Sequence, residues 1–426
     1  MLHNYYAAYE NAAEIVDPTL LEHIDFRLIS FDVMGKGLYD DFFFNTPHRR
    51  YTSIMLDSGA YAVWAANRKI DEKIKKGEKT KKKKREISFR NYLKYCKKHA
   101  DKVTYFANLD RIPPVSSEAE ARQKEAEVIG AAEGGYTNYR KMVSELAKVG
   151  ILEERIIHVY HQFEPIEYLK RMVDEDRMDY VGLSPCNAVG TDDKRKFLNQ
   201  CFDEVIGRNP PKCKTHAFGL SGFELLPEFP LYSADARSWG IQASGSSIYV
   251  PKFRSDVGSD YGDPLEYRWD FEKLDSYDIG NLTNKPSFYK NRRFDTRPKT
   301  GSYITRLWAY IADIDREYPF PLVDGHVLLV GRSKLHVKSN REAPGPRERE
   351  IDPDSNLFKK LEELYGKIEP AKILTEEILR YGLVHNLQWR MKINIIGMNY
   401  FVRQMDPEGY DAFQASKRAL TETSRS

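Results

Sequence analysis

The chain has 426 residues, too many for one small core, and its 41% hydrophobic and 30% charged residues are ordinary for a globular protein in water. A net charge of +3 is too weak to diagnose a polyanion partner, and no apolar run approaches a membrane span. The opening MLHNYYAAYENAAE lacks a signal-peptide layout, and four scattered cysteines without a C-x-x-C predict reduced thiols, no metal or other cofactor, and a cytoplasmic protein (host cytoplasm if viral).

From residue 26 onward, short apolar runs alternate with helical stretches. FRLISF (26–31) and TSIML (52–56) read as strands. A Lys-rich insertion at 67–90 follows, in which KIKKGEKTKKKKR (73–85) is almost wholly basic. Such a run is either a solvated loop or a phosphate-attracting arm, with Lys81, Lys82, Lys83 and Lys84 as its contacts. VTYFANL (103–109) is the next strand, and an Ala/Glu/Lys-rich helical stretch runs from Glu118 to about Val149. RIIHVY (155–160), DYVGL (179–183), THAF (215–218), LYSA (231–234) and SSIYV (246–250) complete the strands, with helices opening at Pro165 and ending at Gly207.

Eight strands alternating with crossovers predict an α/β fold with a parallel sheet, and eight is the number that closes a barrel. The expectation is a (β/α)8 TIM barrel over 1–255 in preference to an open doubly wound sheet. A turn-rich, aromatic and basic region at 256–338 would complete or flank it, and 339–426 reads as a small helical C-terminal appendage.

In such barrels chemistry gathers where the C-terminal ends of the strands converge. Read off in order, those ends present Asp57, Asp110, His161 with Gln162, Gly182, Gly219 and Asp235. Asp57 before Ser58-Gly59 also reads as a helix cap. Three acids at one mouth repel one another, which raises the pKa of at least one and suits a proton donor beside an ionised nucleophile.

In order, LDSGAY, NLD, VYH, YVGL, HAFGL and YSADARSW resemble the queuine/archaeosine tRNA-guanine transglycosylase superfamily, above all its branch that inserts 7-deazaguanines into DNA in bacteria and bacteriophages. The match spans about residues 50 to 240. The resemblance implies a (β/α)8 enzyme that releases guanine from nucleic acid and installs a free 7-deazaguanine base. It implies that Asp235 attacks C1′, that Asp57 is the acid/base, and that Ser58 lines the pocket. Asp110 would read the guanine edge, and Gly182 would donate a backbone hydrogen bond to the base carbonyl. His161, or Gln162, stands where the tRNA enzymes place a glutamine, and Gly219 would pack beneath the sugar or base.

The chain departs from the tRNA enzymes after Asp235, where no cysteine follows to build their zinc site. Arg292 and Arg293, with Arg297, Lys299 and Arg306, are either phosphate contacts in that replaced region or a solvated surface. DNA is the expected partner and tRNA the alternative, with accessory modification proteins a further expectation and no membrane. A non-catalytic subunit and a simple nucleosidase remain competing readings. His158 and His216 read as structural, Trp239 and Tyr232 as packing of the barrel rim, and Arg237 as a partner for Asp235 or a phosphate.

Overall fold

The barrel of the computed structural model begins at a stretch that holds no β-branched residue. β1 (His3–Ala7) is HNYYA, and it is followed by β2 (Phe26–Ser30), β3 (Ser53–Asp57), β4 (Tyr105–Ala107) and β5 (Ile156–His161). β6 (Tyr180–Ser184), β7 (Lys214–Ala217) and β8 (Ser233–Ala236) complete a closed, all-parallel barrel in sequence order, sealed by β8 against β1. Residues 2–7, 24–34, 53–220, 225–244, 247–252, 268–275 and 387–423 are described. They fall in two compact units: Leu2–Arg237 with Lys417–Ser426, and Met1 with Ser238–Ser416.

The expected fold class is therefore present, with its strands assigned differently at both ends. β1 was not expected, because HNYYA opens on His and Asn and holds no β-branched residue to set it apart as a strand. Tyr5 OH lies 2.7 Å from Ser53 Oγ across the barrel, and Tyr180 hydrogen-bonds Ser233 in the same way. SSIYV, taken from the sequence as the eighth barrel strand, instead opens β9 (Ser247–Lys252), which pairs antiparallel with β10 (Arg268–Asp275). The last barrel strand is β8, and the main segment of the first unit runs to Arg237.

Helices alternate with the barrel strands. The helix Glu125–Ala147 buries Val128, Ala132, Tyr136, Tyr139, Met142 and Leu146, an apolar stripe at helical spacing. Residues 67–75 of the expected insertion are the second half of the helix Ala60–Lys75. The basic run beyond it is pinned back: Asn67 Nδ2 donates to Arg85 O at 2.7 Å, and Arg85 N donates to Asn67 Oδ1 at 2.8 Å. Lys84 pairs with Asp71 at 2.7 Å and Arg85 with Asp32, just past the end of β2.

In the second unit, Trp239 lies on the helix Ser238–Ser244, and its carbonyl accepts from Asn394 of the helix Leu387–Met405 at 2.9 Å. The helix Pro407–Thr423 follows, so the described part of the appendage is helical as expected. Arg292, Arg293, Arg297, Lys299 and Arg306 lie outside the described residues, as do the expected helices before Leu387. No helix among the described residues is long and apolar enough to cross a membrane.

Candidate active site

β3 ends at Asp57, and the chain turns into the helix Ala60–Lys75 through Gly59 at φ +82°. A Cβ on Gly59 would stand 2.6 Å from both Asp32 Cβ and Ser30 Oγ, so glycine is required there for space as well as for backbone angle. Asp57 Oδ2 accepts from Gly59 N at 2.9 Å and Ser58 Oγ from Ala60 N at 3.1 Å, so both side chains close turns ahead of a helix whose N-cap is Gly59, not the acid or the serine. The Ser58 hydroxyl also donates to Asp110 Oδ1 at 3.3 Å, which joins the ends of β3 and β4.

Asp110 sits on a loop fastened from outside the barrel. Asn108 Nδ2 donates to Gly135 O at 3.2 Å, and Asn138 Nδ2 donates to Leu109 O at 2.8 Å. Tyr92, on the helix Phe89–Lys98, reaches both Leu56 O at 3.2 Å and Ala107 O at 2.6 Å, so one buried hydroxyl ties the two strands that carry the acids.

His161 is the last residue of β5, with Nε2 2.9 Å from Asp110 Oδ2. The approach is close, without the alignment of a well-formed hydrogen bond. Glu164 accepts from His161 N at 3.1 Å, and its own carbonyl accepts from Tyr160 OH at 2.8 Å. Burial works against a charged His161, but Asp110 and then Glu164 outweigh it and hold its pKa above the ordinary value. Burial pushes Glu164 up to about 7, with His161 pulling the other way.

Asp57 is the acid of the mouth whose pKa is raised furthest above its ordinary value. Burial first, then the negative charges of Asp110 and Asp235, push its pKa up to about 8 against the pull of the Gly59 N–H. It therefore keeps a proton at neutral pH, in a mouth shared with both other acids.

Asp235 lies on β8 beside Tyr5 of β1 and is buried. Its Oδ1 accepts from Gly219 N at 2.8 Å and lies 3.3 Å from His216 Nε2. Gly219 is at φ +65°, in the turn after β7, and that angle aims its amide at the carboxylate. Its contact is with Asp235, so it acts on an acid of the site and not only as space for a ligand. Asp57, Ser58, Asp110, His161, Gly219 and Asp235 are thus gathered at one end of the barrel.

Other expectations change. Gly182 lies in the middle of β6, between His216 and Val159 in the ladder, not at the strand's end. A Cβ there would meet the Phe218 ring at 2.6 Å, so this glycine makes room for a side chain. Tyr232 packs with His3 and Lys214 at the N-terminal ends of the strands, opposite the acids. Arg237 is exposed, and Gly219 and His216 hold Asp235 Oδ1 in its stead. His158 is core as expected, its ring stacked at 4.8 Å on Tyr139 and its pKa lowered to about 3 by burial. Lys81, Lys82, Lys83 and Lys84 are exposed.

Reasoning from the sequence passed over Glu164 and set His216 aside. An acid three residues after His161 is too common a spacing to flag. His216 reaches Asp235 only through the register of β7 against β8, which places it beside Ser233. Among the described residues no group of three or more His, Cys, Asp or Glu side chains is set to hold a metal ion.

The fold and these contacts define a (β/α)8 barrel with an acid-lined mouth at the C-terminal ends of its strands. No family model matches the chain, and no curated protein matches it.

Proposed function

We propose that the chain is a DNA-guanine transglycosylase, exchanging guanine in DNA for a free 7-deazaguanine base through a covalent glycosyl-aspartate. The observation that carries the reading is the pairing of a protonated Asp57, its pKa about 8, with the buried, doubly held carboxylate of Asp235 in the same mouth. One group gives a proton to a departing base while the other takes the sugar.

In the first step an oxygen lone pair of Asp235 forms a bond to C1′ as the C1′–N9 bond breaks. The bonding pair leaves on the purine, which takes the Asp57 proton and departs as neutral guanine. In the second step the incoming base gives its N9 proton to Asp57, N9 bonds C1′, and the ester electrons return to Asp235. Two displacements retain configuration. Asp110, which Ser58 and His161 contact, would accept from the purine N1–H and exocyclic amine. A 7-deazapurine has carbon at position 7 and so resists the protonation that helps guanine leave, which favours the exchange.

The target nucleotide must leave the duplex before C1′ can be reached. The exposed Lys81–Lys84 run, with Arg292 and Arg293, would meet phosphates. Accessory proteins that open the duplex fit the same requirement.

Nucleoside mass spectrometry of DNA and tRNA digests from cells that supply the base tests the reading, with Asp235→Ala as control. A 7-deazaguanine nucleoside in DNA that Asp235→Ala abolishes is expected. Its appearance in tRNA alone assigns the tRNA reaction, and its persistence in Asp235→Ala assigns a non-catalytic subunit. Guanine released from the purified protein without an incoming base assigns a nucleosidase.

A further inference from the structure

Behind Asp235 a line of buried side chains crosses the barrel interior. Tyr180 on β6 hydrogen-bonds Ser233 on β8 through their hydroxyls. Ser233 Oγ lies 2.5 Å from His216 Nδ1, and His216 Nε2 lies 3.3 Å from Asp235 Oδ1. His216 and Ser233 are register partners, and Asp235 is two residues further along the same strand face. His216 and Ser233 have no solvent exposure at all.

The imidazole is also clamped by rings. Tyr5 presents an edge at 5.8 Å and Phe218 at 4.3 Å. The Phe218 ring fits only because Gly182, the register partner of His216 on β6, has no side chain.

Donor and acceptor accounting then decides the tautomer. A carboxylate only accepts, so Nε2 carries the hydrogen, and a neutral imidazole presents a lone pair at Nδ1. Ser233 donates to that lone pair and accepts from Tyr180, which leaves each hydroxyl hydrogen a partner. Gly219 N and His216 Nε2 converge on Oδ1, while Oδ2 receives no donor among the described residues.

We propose that His216 is the positioning residue of Asp235. The Tyr180–Ser233 pair sets its tautomer, its Nε2–H fixes Oδ1, and Oδ2 is left as the oxygen that bonds C1′. The proposal rests on the transglycosylase reading for the identity of the attacking group. When Oδ2 forms the ester, Oδ1 becomes its carbonyl oxygen and keeps both N–H donors; no proton passes through His216.

The test compares His216→Phe, which keeps a ring and removes the donor, with His216→Gln, whose amide N–H reaches the Nε2 position, and with Ser233→Ala. Covalent protein–DNA adduct is followed in single turnover on denaturing gels, free 7-deazaguanine binding at equilibrium, and the tautomer by imidazole 15N shifts. His216→Phe is expected to slow adduct formation about 100-fold and to leave base affinity within about threefold. His216→Gln should recover about tenfold of that decrease. The wild-type protein should show His216 protonated at Nε2 alone, and Ser233→Ala should mix the two tautomers.

Adduct formation by His216→Phe at the wild-type rate overturns the proposal. So does an equal fall in adduct rate and base affinity that His216→Gln does not rescue, or a His216 protonated at Nδ1. Wild-type protein that forms no adduct on any nucleic acid overturns the transglycosylase reading instead, and the 15N tautomer then decides the relay by itself.

Discussion

His161 Nε2 stands 2.9 Å from Asp110 Oδ2, and Glu164 accepts from the backbone N–H of the same histidine. Asp110 is thus partnered by a histidine whose pKa it raises, while Asp57, raised first by burial and then by the charges of Asp110 and Asp235, is the acid that holds a proton. This arrangement divides the labour among the carboxyls, so each can be probed by its own substitution.

On the proposed mechanism Asp57 gives its proton to the departing base, so single-turnover exchange should fall as pH rises through about 8, where that proton is lost. Asp57→Asn should lower the rate by about 10²–10⁴ and remove this alkaline limb. Rate measured against pH for both proteins checks it; a limb that survives in Asp57→Asn places the acid elsewhere.

Stability should follow the same carboxyl. Its folded pKa of about 8 lies above the ordinary 3.8, so the folded protein binds the extra proton between those values and wild-type stability falls as pH rises across that window. Asp57→Asn, neutral throughout, should gain on the wild type from pH 4 to pH 8, by several degrees in Tm (roughly 2–4 °C per kcal/mol). Thermal melts at intervals of pH would refute this by showing a constant difference.

His161→Phe should destabilise the fold by about 3 kcal/mol, because it removes the ring that stands against the buried Asp110 carboxylate while the backbone N–H to Glu164 remains. The folded pKa of His161 is raised, so its contribution is full below the unfolded value of 6.5 and is lost as pH rises through the raised one. Denaturant titrations should therefore find the largest gap in mildly acidic buffer and a smaller one in alkaline buffer.

Gly219→Ala forces a side chain into φ +65°, at about 1–2 kcal/mol, and brings its Cβ to 3.3 Å from Asn187 Oδ1. The turn relaxes by moving the amide that holds Asp235. Maximal rate should fall while free-base affinity holds, a split that steady-state kinetics beside equilibrium binding will read.

Replacing Lys81, Lys82 and Lys83 by Ala should weaken DNA binding uniformly across sequences. Each phosphate that is no longer neutralised flattens the slope of log K against log salt by about 0.9. Lys84, already paired with Asp71, should add little. Unchanged slopes would make the run a solvated edge.

The acids at the strand ends were legible because each follows a short apolar run, and a turn residue next to an acid marks where a buried strand stops. Strand identity was less legible. HNYYA looks polar because Tyr5 and Tyr6 do the burying, while SSIYV has the same aromatic and β-branched look in a hairpin as in a barrel. His216 escaped notice for a different reason: its meeting with Asp235 depends on how β7 slides along β8, and no local pattern encodes that offset. The basic run was visible as charge, but the Asn67–Arg85 pair that anchors it joins positions 18 residues apart.

Tyr5 and Asp235 are register partners 230 positions apart in the chain. A ribosome adding 5–20 residues per second needs on the order of 10–50 s to deliver the second after the first. Throughout that time β1 has no neighbour on its outer side, and the carboxylate that would attack a sugar has not been made. On the proposed mechanism an unfinished polypeptide would be harmless to DNA: the seam that completes the cylinder also brings in the Asp235 carboxylate, so assembly and arming would be one event.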